Sequence, residues 1–444
     1  MGEMMDSPAL LDLHAEPSAA ELIAARPQLS MHAMDGLLVE GVALNAIGDA
    51  LGTPTWVLSA GTLRGRLRRL QSALAPVGAR VHYAVKANDH LAVLRLMARG
   101  GAGADVVSGG ELQRALAAGI DPGLIVFSGV GKQDWEMRLA LERGVAQLNV
   151  ESAAELSALS AVAVSCGRTA RVALRINPDV DAGTHAKITT GKAENKFGVA
   201  AEDAAGLYGH AGSLPGIEAV GLALHIGSQI LSMAPYVAAY RRTAELVRGL
   251  RASGQVVRAV DCGGGLGIGY RDEAAPAPEA FAAAIGQAFA GLELELAVEP
   301  GRWLAGPAGL LLTSVVLEKR GGARRFVVVD AAMNDLLRPS MYDAWHGIVP
   351  VGAERGAVSA CDVVGPVCES GDIFARGRFL PELNAQSRLA ILDAGAYGSV
   401  MSSTYNSRPL AAVALVDGDR WSVVRARQAV EAMWDGEIVP EWIG

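Results

Sequence analysis

The sequence is poor in several features, and each shortage excludes a class of protein. Its four cysteines include no C-x-x-C pair, which gives no zinc signature and fits a reducing compartment. No apolar run reaches the ~20 residues that cross a bilayer. The N-terminus is acidic and lacks the basic segment followed by an apolar segment that is typical of a signal peptide. The formal net charge of −8 argues against nucleic acid as a main partner. We therefore expect a soluble, cytoplasmic protein with neither a membrane nor a nucleic-acid partner.

Lysine is also scarce, and this scarcity singles out Lys86. The chain has six lysines, and Lys86 ends an apolar stretch at residues 81–85. Burial there would lower the pKa of the amine and free it as a nucleophile. The other five stand in polar or basic surroundings and are predicted to be solvated: Lys132, Lys187, Lys192, Lys196 and Lys319. From this stretch alone, Lys86 is either a Schiff-base lysine or a solvated lysine at the end of a strand.

The 444 residues are too many for one ordinary core, and the order of apolar segments predicts a barrel in the first part of the chain. The predicted strands are residues 81–85, 104–107, 124–127, 146–150, 172–176, 219–224, 256–260 and 294–298. Helical stretches between them include residues 91–99, 111–118, 135–142, 153–164 and 236–251. Eight such units are typical of a parallel (β/α)8 TIM barrel. A doubly wound open sheet is the alternative, and the count favours the barrel.

After about residue 306 the pattern changes to strands without regular helices. These strands are predicted at residues 310–317, 326–329, 357–364, 389–392, 411–416 and 421–424. We expect a mostly antiparallel β-sandwich or β-barrel domain, into which a strand at residues 55–58 could pair. The predicted division is an N-terminal extension at residues 1–50, partly associated with the β domain, the barrel at 51–305 and the β domain at 306–444. Residues 1 to about 35 are expected to be mobile.

The strand ends of the predicted barrel carry the residues of greatest chemical interest, because the active site of such a barrel lies there. Lys86, His225 and Glu299 each follow a predicted strand, and glycines 263–265 follow another. Taken singly, His225 could be a core histidine, Glu299 a solvated carboxylate and the glycines a tight turn. Together they supply a Schiff-base lysine, a partner for a ring nitrogen and a phosphate site, which pyridoxal phosphate needs. The strand ends show no cluster of histidines, so no metal site is predicted.

The β domain carries a second group of polar loops, at residues 330–342, 364–372 and 393–398. They are bounded by glycine or proline and contain arginine, tyrosine, cysteine and glutamate. Arginine suits a carboxylate through two parallel hydrogen bonds, and glutamate suits an ammonium group. These loops either bind a substrate or only pack against the barrel.

Nine short motifs give the chain a family resemblance. They are residues 83–88 (YAVKAN), 105–111 (DVVSGGE), 194–198 (ENKFG), 225–229 (HIGSQ), 263–267 (GGGLG), 299–302 (EPGR), 333–339 (MNDLLRP), 368–372 (CESGD) and 405–409 (YNSRP). With these motifs the chain resembles the diaminopimelate decarboxylases, of the alanine-racemase-like, fold type III group of pyridoxal-phosphate enzymes. The resemblance covers residues from about 52 to 442.

The resemblance implies a role for each matching residue. The implied cofactor-binding residues are Lys86, His225, Ser228, Gly264, Gly265, Glu299, Gly301, Arg302 and Tyr397. The implied substrate-binding residues are Arg302, Arg338, Tyr342, Glu369 and Tyr397. The implied catalytic residues are Lys86, His225, Glu299 and Cys368, the last as proton donor. Cys368 and Glu369 would come from the neighbouring subunit, so the resemblance implies a homodimer with shared active sites.

The reaction that the resemblance implies is decarboxylation of meso-2,6-diaminopimelate to L-lysine and CO2, the last step of lysine biosynthesis. It would use a Schiff base on Lys86, a quinonoid intermediate and reprotonation with Cys368. The alternatives are a related decarboxylase acting on carboxynorspermidine, ornithine or arginine, and a non-catalytic paralogue that binds the cofactor. Arg302 and Arg338 disfavour simple diamino monoacids, because two arginines would repel the far ammonium group.

Overall fold

The computed structural model describes residues 16–183, 197–322, 324–352 and 356–444. Lys187, Lys192 and Lys196 lie outside the described residues, as do the first three residues of the motif at 194–198. So do the first 15 residues of the expected extension. Among the described helices, none is both long and apolar enough to cross a membrane.

Eight parallel strands form a closed barrel. They are Arg80–Ala84, Gly103–Val106, Ile125–Phe127, Gln147–Val150, Ala170–Asn177, Ile217–Leu224, Ala259–Asp261 and Glu295–Val298. Each pairs in parallel with the next, and the last pairs with the first through Ala297 and Val298. This closure confirms the barrel over the open sheet, because an open sheet has two unpaired edges.

In the part of the chain that the structure describes, eight helices surround the strands. They are Ala60–Leu74, Leu91–Arg99, Gly109–Ala117, Asp134–Arg143, Ala153–Cys166, Ala201–Ser213, Ala234–Ala252 and Pro278–Phe289. Serine fixes the start of three of them: the side chains of Ser59, Ser108 and Ser152 each accept a hydrogen bond from a backbone N–H of the first turn. Gly144 and Gly167 end two helices in the left-handed region, at φ of 74° and 61°.

The second unit is a mostly antiparallel β sheet. Its strands after the barrel are Gly309–Gly321, Arg324–Val329, Ile348–Pro350, Ser359–Val364, Ile373–Leu380, Arg388–Ile391, Ala412–Asp417 and Arg420–Arg425. The strand Thr55–Ser59 precedes the barrel but pairs between Gly309–Gly321 and Ala412–Asp417, which confirms the expected pairing. The domain boundaries at residues 50/51 and 305/306 stay predictions.

Two strands of this sheet were not predicted. Ile348–Pro350 has only three residues and ends on a proline, which cannot donate to a ladder. Ile373–Leu380 contains Arg376, Gly377 and Arg378 in its middle, which interrupts the apolar run. Arg378 is nevertheless buried, since its guanidinium lies 4.3 Å from the ring centroid of Trp345.

The N-terminal segment is folded from residue 16 on, so the expectation of a mobile extension to about residue 35 is wrong for the described part. Its elements are Ala19–Ala24, Leu29–His32, Gly36–Val39, Val42–Ala43 and Leu44–Leu51. Leu22, Leu37 and Ile47 are buried in one apolar cluster with Val349 and Leu392 of the β domain. The segment has only a weak helical pattern because it changes between short helices and short strands, and its apolar side chains pack against a distant part of the chain.

We expect Leu37→Ala to lower the free energy of unfolding by about 2–5 kcal/mol, because it removes a fully buried side chain and leaves a cavity. Urea denaturation measures this. Met34→Ala, in the same segment but 88% exposed, is the matched control and should change the free energy by less than about 0.5 kcal/mol. Equal, small effects of the two substitutions would contradict a folded N-terminal segment.

Candidate active site

Three of the predicted strand-end residues lie in one cavity at the C-terminal ends of the barrel strands. The cavity has a volume of about 440 Å³ and contains Lys86, His225 and Glu299. The other residues that line it are Val107, Ser128, Gly129, Val130, Gly131, Asn149, Arg175, Phe197, Ala223 and Leu224. Closure of the barrel brings these distant parts of the sequence to one rim.

Lys86 lies in a single 3-10 turn, Val85–Ala87, directly after the first barrel strand. Its Nζ lies 2.5 Å from Oδ2 of Asp105, and the side chain of Asp105 is fully buried. The register explains the pair: Ala84 is the partner of Asp105 across adjacent strands. The amine of Lys86 is thus held against a carboxylate, and a third of its side chain stays exposed to the cavity.

This carboxylate raises the pKa of Lys86 instead of letting it fall. Burial favours the neutral amine, but the negative charges of Asp105 and Glu299 outweigh that effect. The expectation of a lowered pKa is therefore wrong for the free amine. The neighbours of Lys86 in the sequence are apolar, whereas its charged partner stands 19 residues further along the chain.

Glu299 is a buried carboxyl group in a small polar network. Its side chain is held by Ser128, whose hydroxyl donates to Oε1 at 3.3 Å, and the amide of Asn149 donates to that hydroxyl at 3.0 Å. Burial, together with the nearby carboxylates of Asp105 and Asp261, raises the pKa of Glu299 well above its ordinary value. Glu299 is therefore suited to share a proton with a basic partner.

His225 is a neutral imidazole beside the glycine turn. Burial lowers its pKa well below the ordinary value, and the positive charges of Arg175 and Lys86 lower it further. The N–H of Gly264 donates to Nδ1 of His225 at 3.3 Å, so this ring nitrogen carries no proton. The turn admits no side chain at Gly263, where φ is 68° and an added Cβ would lie 2.0 Å from a backbone oxygen of the preceding strand.

Arg302 joins the glycine-turn side of the site to the β domain. Its Nη2 donates to Oγ of Ser228 at 3.0 Å, and its Nη1 donates to the hydroxyl of Tyr270 at 2.7 Å. Its guanidinium lies 4.8 Å from the ring centroid of Tyr397. An added Cβ on Gly301 would lie 2.9 Å from Cβ of Ala87, so a glycine here lets the backbone pack against the turn that carries Lys86.

Arg338 lies on the other side of Tyr270, at the start of the short helix Arg338–Tyr342. Its guanidinium is 4.7 Å from the centroid of the Tyr270 ring, and its Nη1 is 2.7 Å from Nε2 of His346. Tyr342 follows one turn later, and it is among the tyrosines that raise the pKa of Arg302, after Tyr270 and Tyr397. The structure therefore brings together the arginines and the tyrosine that were predicted to bind the substrate.

Comparison with known proteins identifies the family. Residues 60–306 match the family model described as pyridoxal-dependent decarboxylase, pyridoxal binding domain. The diaminopimelate decarboxylase of Zymomonas mobilis is 48% identical over 412 residues, which cover 92% of this chain and 98% of that protein. The chain belongs to the diaminopimelate decarboxylases. The enzyme of Pseudomonas aeruginosa is 47% identical over 401 residues, or 90% of this chain and 96% of that protein.

Solved structures of diaminopimelate decarboxylases have the same fold. The Helicobacter pylori enzyme, solved as a complex with L-lysine, matches with a TM-score of 0.86 and 42% identity, over 88% of this chain and 98% of that one. The enzyme of M. jannaschii, also solved with L-lysine, matches with a TM-score of 0.90 and 33% identity, over 94% and 99% of the two chains. The fold is thus that of the fold type III pyridoxal-phosphate decarboxylases.

The cavity fits the pyridoxal phosphate that this family uses. It offers an amine, a neutral imidazole and a carboxyl group of raised pKa on walls that come from different strands. Oδ1 of Asp105 is a buried acceptor without a hydrogen-bond partner among the described residues. Such an atom is expected where a ligand completes the site.

Cys368 and Glu369 are not among the residues that line this cavity. Both are exposed, and Glu369 accepts a hydrogen bond from the hydroxyl of Tyr405 at 2.6 Å. Within one diaminopimelate decarboxylase chain, neither the predicted proton donor nor the predicted ammonium partner lines the cavity that contains Lys86.

Several polar residues of the site had no predicted role. Asp105, Asn149 and Asp261 end or interrupt apolar strands, which is a usable signal because a buried charge needs a partner. Lys132 was predicted to be solvated, and this is wrong: its side chain is 1% exposed and its Nζ lies 2.5 Å from Oε1 of Glu155. That amine also donates to two backbone oxygens, at 2.6 and 2.7 Å, and so fixes the loop beside the cavity. Lys319 is exposed, as predicted.

Proposed function

We propose that this diaminopimelate decarboxylase converts meso-2,6-diaminopimelate to L-lysine and CO2 with pyridoxal phosphate held on Lys86. The observation that carries the proposal is the joint position of Lys86, His225 and Glu299 in one cavity at the strand ends. The presence of L-lysine in the solved structures of two relatives supports a lysine-like ligand. No described group of three or more His, Cys, Asp or Glu side chains could hold a metal ion.

The cofactor supplies an electron sink for the electrons that remain when CO2 leaves. Lys86 would hold it through its aldehyde, and this requires the amine of Lys86 to lose a proton. Asp105, 2.5 Å from Nζ, is placed to take up that proton, and the same pair can return it. Glu299 would pair with the ring nitrogen, where its carboxylate would stabilise a protonated ring; the positive charge of that ring would in turn offset the burial that raises the pKa of Glu299.

His225, Ser228 and the glycine turn hold the rest of the cofactor in this proposal. A neutral His225 can stack on a protonated ring without electrostatic repulsion. The glycine turn at Gly264 and Gly265 and the hydroxyl of Ser228 would hold the phosphate. Tyr397 supports the other side, since its N–H donates to the carbonyl of Ala87, next to Lys86, at 2.8 Å.

Arg302, Arg338 and Tyr342 bind the carboxylate at the non-reacting end of the substrate. Two buried guanidinium groups suit a carboxylate, and the free energy of that binding orients the reacting end. Ornithine lacks this second carboxylate, so it would leave both charges unpaired. The structure thus supports a diamino dicarboxylate over a diamino monoacid.

We also propose that the enzyme is a cytoplasmic homodimer in which Cys368 and Glu369 complete the partner's site. In support, both residues are exposed on their own chain, where a second subunit could reach them. Cys368 returns a proton to the carbon that has lost CO2, and Glu369 binds the far ammonium group. The unpaired state of the four cysteines fits a reducing compartment.

Asp372 shapes the loop that carries Cys368. Its two carboxylate oxygens accept from the N–H groups of Met333 and Val367, each at 2.7 Å. Asp372→Asn replaces one acceptor by a donor, and we expect kcat/KM to fall by about 10- to 100-fold while the visible cofactor band persists. Asp272→Asn, 74% exposed at the side chain, is the matched control. Unchanged kinetics for Asp372→Asn would contradict a role for this loop.

A substrate comparison tests the proposed function. Purified holoenzyme is given meso-diaminopimelate, carboxynorspermidine, ornithine or arginine, and CO2 release is measured for each. We expect kcat/KM for meso-diaminopimelate to exceed the values for ornithine and arginine by at least about 100-fold, since each unpaired buried charge costs several kcal/mol. A higher value for any of the other three would reject the substrate but keep the cofactor.

A further inference from the structure

The two substrate-side arginines form a buried pair of like charges. Arg302 and Arg338 are 6% and 5% exposed. Burial lowers the pKa of Arg338, and the charge of Arg302 adds to that effect. The Nε atoms of both arginines are buried without a hydrogen-bond partner in the described part of the chain. Two such cations repel each other and need to be held in place until an anion arrives.

Tyr270 lies between the two guanidinium groups and contacts both. Its hydroxyl accepts from Nη1 of Arg302 at 2.7 Å, and its ring lies 4.7 Å from the guanidinium carbon of Arg338. The negative face of an aromatic ring attracts a cation. One side chain therefore holds two positive charges by two different interactions, without contributing a negative charge that would compete with a substrate carboxylate.

His346 holds Arg338 from the far side. Its Nδ1 donates to the carbonyl of Leu392 at 2.7 Å, which leaves Nε2 to accept from Nη1 of Arg338 at 2.7 Å. Burial and the charge of Arg338 lower the pKa of His346 well below its ordinary value, so the ring is a neutral acceptor. The imidazole also packs edge-on against the Tyr270 ring, with centroids 5.3 Å apart.

The N-terminal segment contacts the backbone of Tyr270 through Arg26. Nη2 of Arg26 donates to the carbonyl of Tyr270 at 3.0 Å, and Nε of Arg26 donates to Oδ2 of Asp393 at 2.8 Å. Arg26 and Asp393 are 6% and 4% exposed, so this ion pair is sheltered from solvent. Asp393 follows Leu392, which accepts from His346, and the two supports of the arginine pair therefore share one short stretch of backbone.

We propose that Tyr270 is a positioning residue for carboxylate recognition and that Arg26 anchors it. Tyr270 keeps Arg302 and Arg338 oriented so that one carboxylate can bridge them, and Arg26 fixes the backbone that carries Tyr270. The proposal rests on the proposed function, in which the bridged group is the far carboxylate of the amino-acid substrate. It assigns a role to the N-terminal segment, which lies outside the family motifs.

Two ligands that differ by this carboxylate test the proposal. Calorimetric titration of the holoenzyme with L-lysine and with cadaverine, which is lysine without its carboxylate, measures the dissociation constants. We expect Tyr270→Phe to weaken L-lysine binding about tenfold and Tyr270→Leu about a hundredfold, with cadaverine within about twofold in both. If Tyr270→Leu does not fold, Tyr270→Phe decides. Tyr208→Phe is the matched control, because it also removes the hydroxyl of a buried tyrosine, one that donates to a backbone oxygen. It should change neither dissociation constant.

Equal weakening of both ligands by Tyr270→Phe would show a general structural role and overturn the proposal, as would unchanged L-lysine binding. Arg26→Lys keeps the charge beside Asp393 but shortens the reach to Tyr270, and we expect it to weaken L-lysine binding about threefold. Unchanged affinity in that variant would overturn the anchoring role. The titrations measure binding and need no turnover. If the variants show this pattern of affinities but the wild-type protein does not decarboxylate meso-diaminopimelate, only the proposed function is refuted.

Discussion

Lys86→Ala is expected to lower kcat/KM for meso-diaminopimelate by more than about 1,000-fold, which corresponds to over 4 kcal/mol of transition-state stabilisation. The reason is that, in the proposed function, Lys86 both anchors the cofactor and moves protons at its Nζ. The visible absorption band of the lysine-bound cofactor should disappear from the same preparation. Added methylamine, which supplies an amine of the right charge, should restore part of the activity.

Two control variants distinguish inactivity caused by the missing amine from inactivity caused by misfolding. Removal of Lys86 leaves Asp105 fully buried without its partner, which destabilises the site. The double variant Lys86→Ala, Asp105→Asn removes that charge and should be equally inactive. Lys319→Ala removes an exposed lysine and should behave as wild type. Retained activity in the double variant would refute the assignment of Lys86.

Cys368→Ala is expected to lower kcat by about 100- to 10,000-fold, the range typical of a lost proton donor. Mixing it with Lys86→Ala then tests where the donor acts. In the proposed homodimer, half of the dimers in an equal mixture would be hybrids, and each hybrid would contain one site with both Lys86 and Cys368. Activity should therefore recover to about a quarter of the wild-type value per subunit after exchange.

The control for this mixture is the double variant that carries both substitutions in one chain. Mixed with wild type, it gives hybrids in which no site is repaired. If the mixture of Cys368→Ala with Lys86→Ala stays at the activity of the single variants after subunit exchange, that result would contradict a shared site. In that case Cys368 would have to reach Lys86 of its own chain, from a loop that lies outside the cavity lining.

The barrel could be predicted because each of its units is local. A short apolar run followed by a helix repeats eight times, and parallel pairing of neighbouring runs follows from that repeat. The strands of the β domain were harder to predict from the sequence, because Ile373–Leu380 contains a buried arginine and Ile348–Pro350 is very short. The N-terminal segment was missed since Leu22 and Leu37 find their apolar partners more than 300 residues later in the chain, at Val349 and Leu392.

Strand-end positions were predictable for the same local reason, so Lys86, His225 and Glu299 fell into one cavity as expected. Their electrostatics were not. The raised pKa of Lys86 depends on Asp105, and the burial of Lys132 depends on Glu155; both pairs require the register of neighbouring strands or helices. Tyr270 and His346 had no sequence signal of their own, because their importance comes from contacts with arginines that are distant in the chain.

The most direct test of the account is the release of CO2 and L-lysine from meso-diaminopimelate by the purified holoenzyme, with the visible absorbance recorded throughout and Lys86→Ala in parallel. The account predicts one CO2 and one L-lysine per substrate consumed, a cofactor band before substrate is added, and the loss of both product and band in the variant. A cofactor band with no lysine formed would reject the substrate. Wild-type protein that binds pyridoxal phosphate without forming the band would contradict the central role of Lys86.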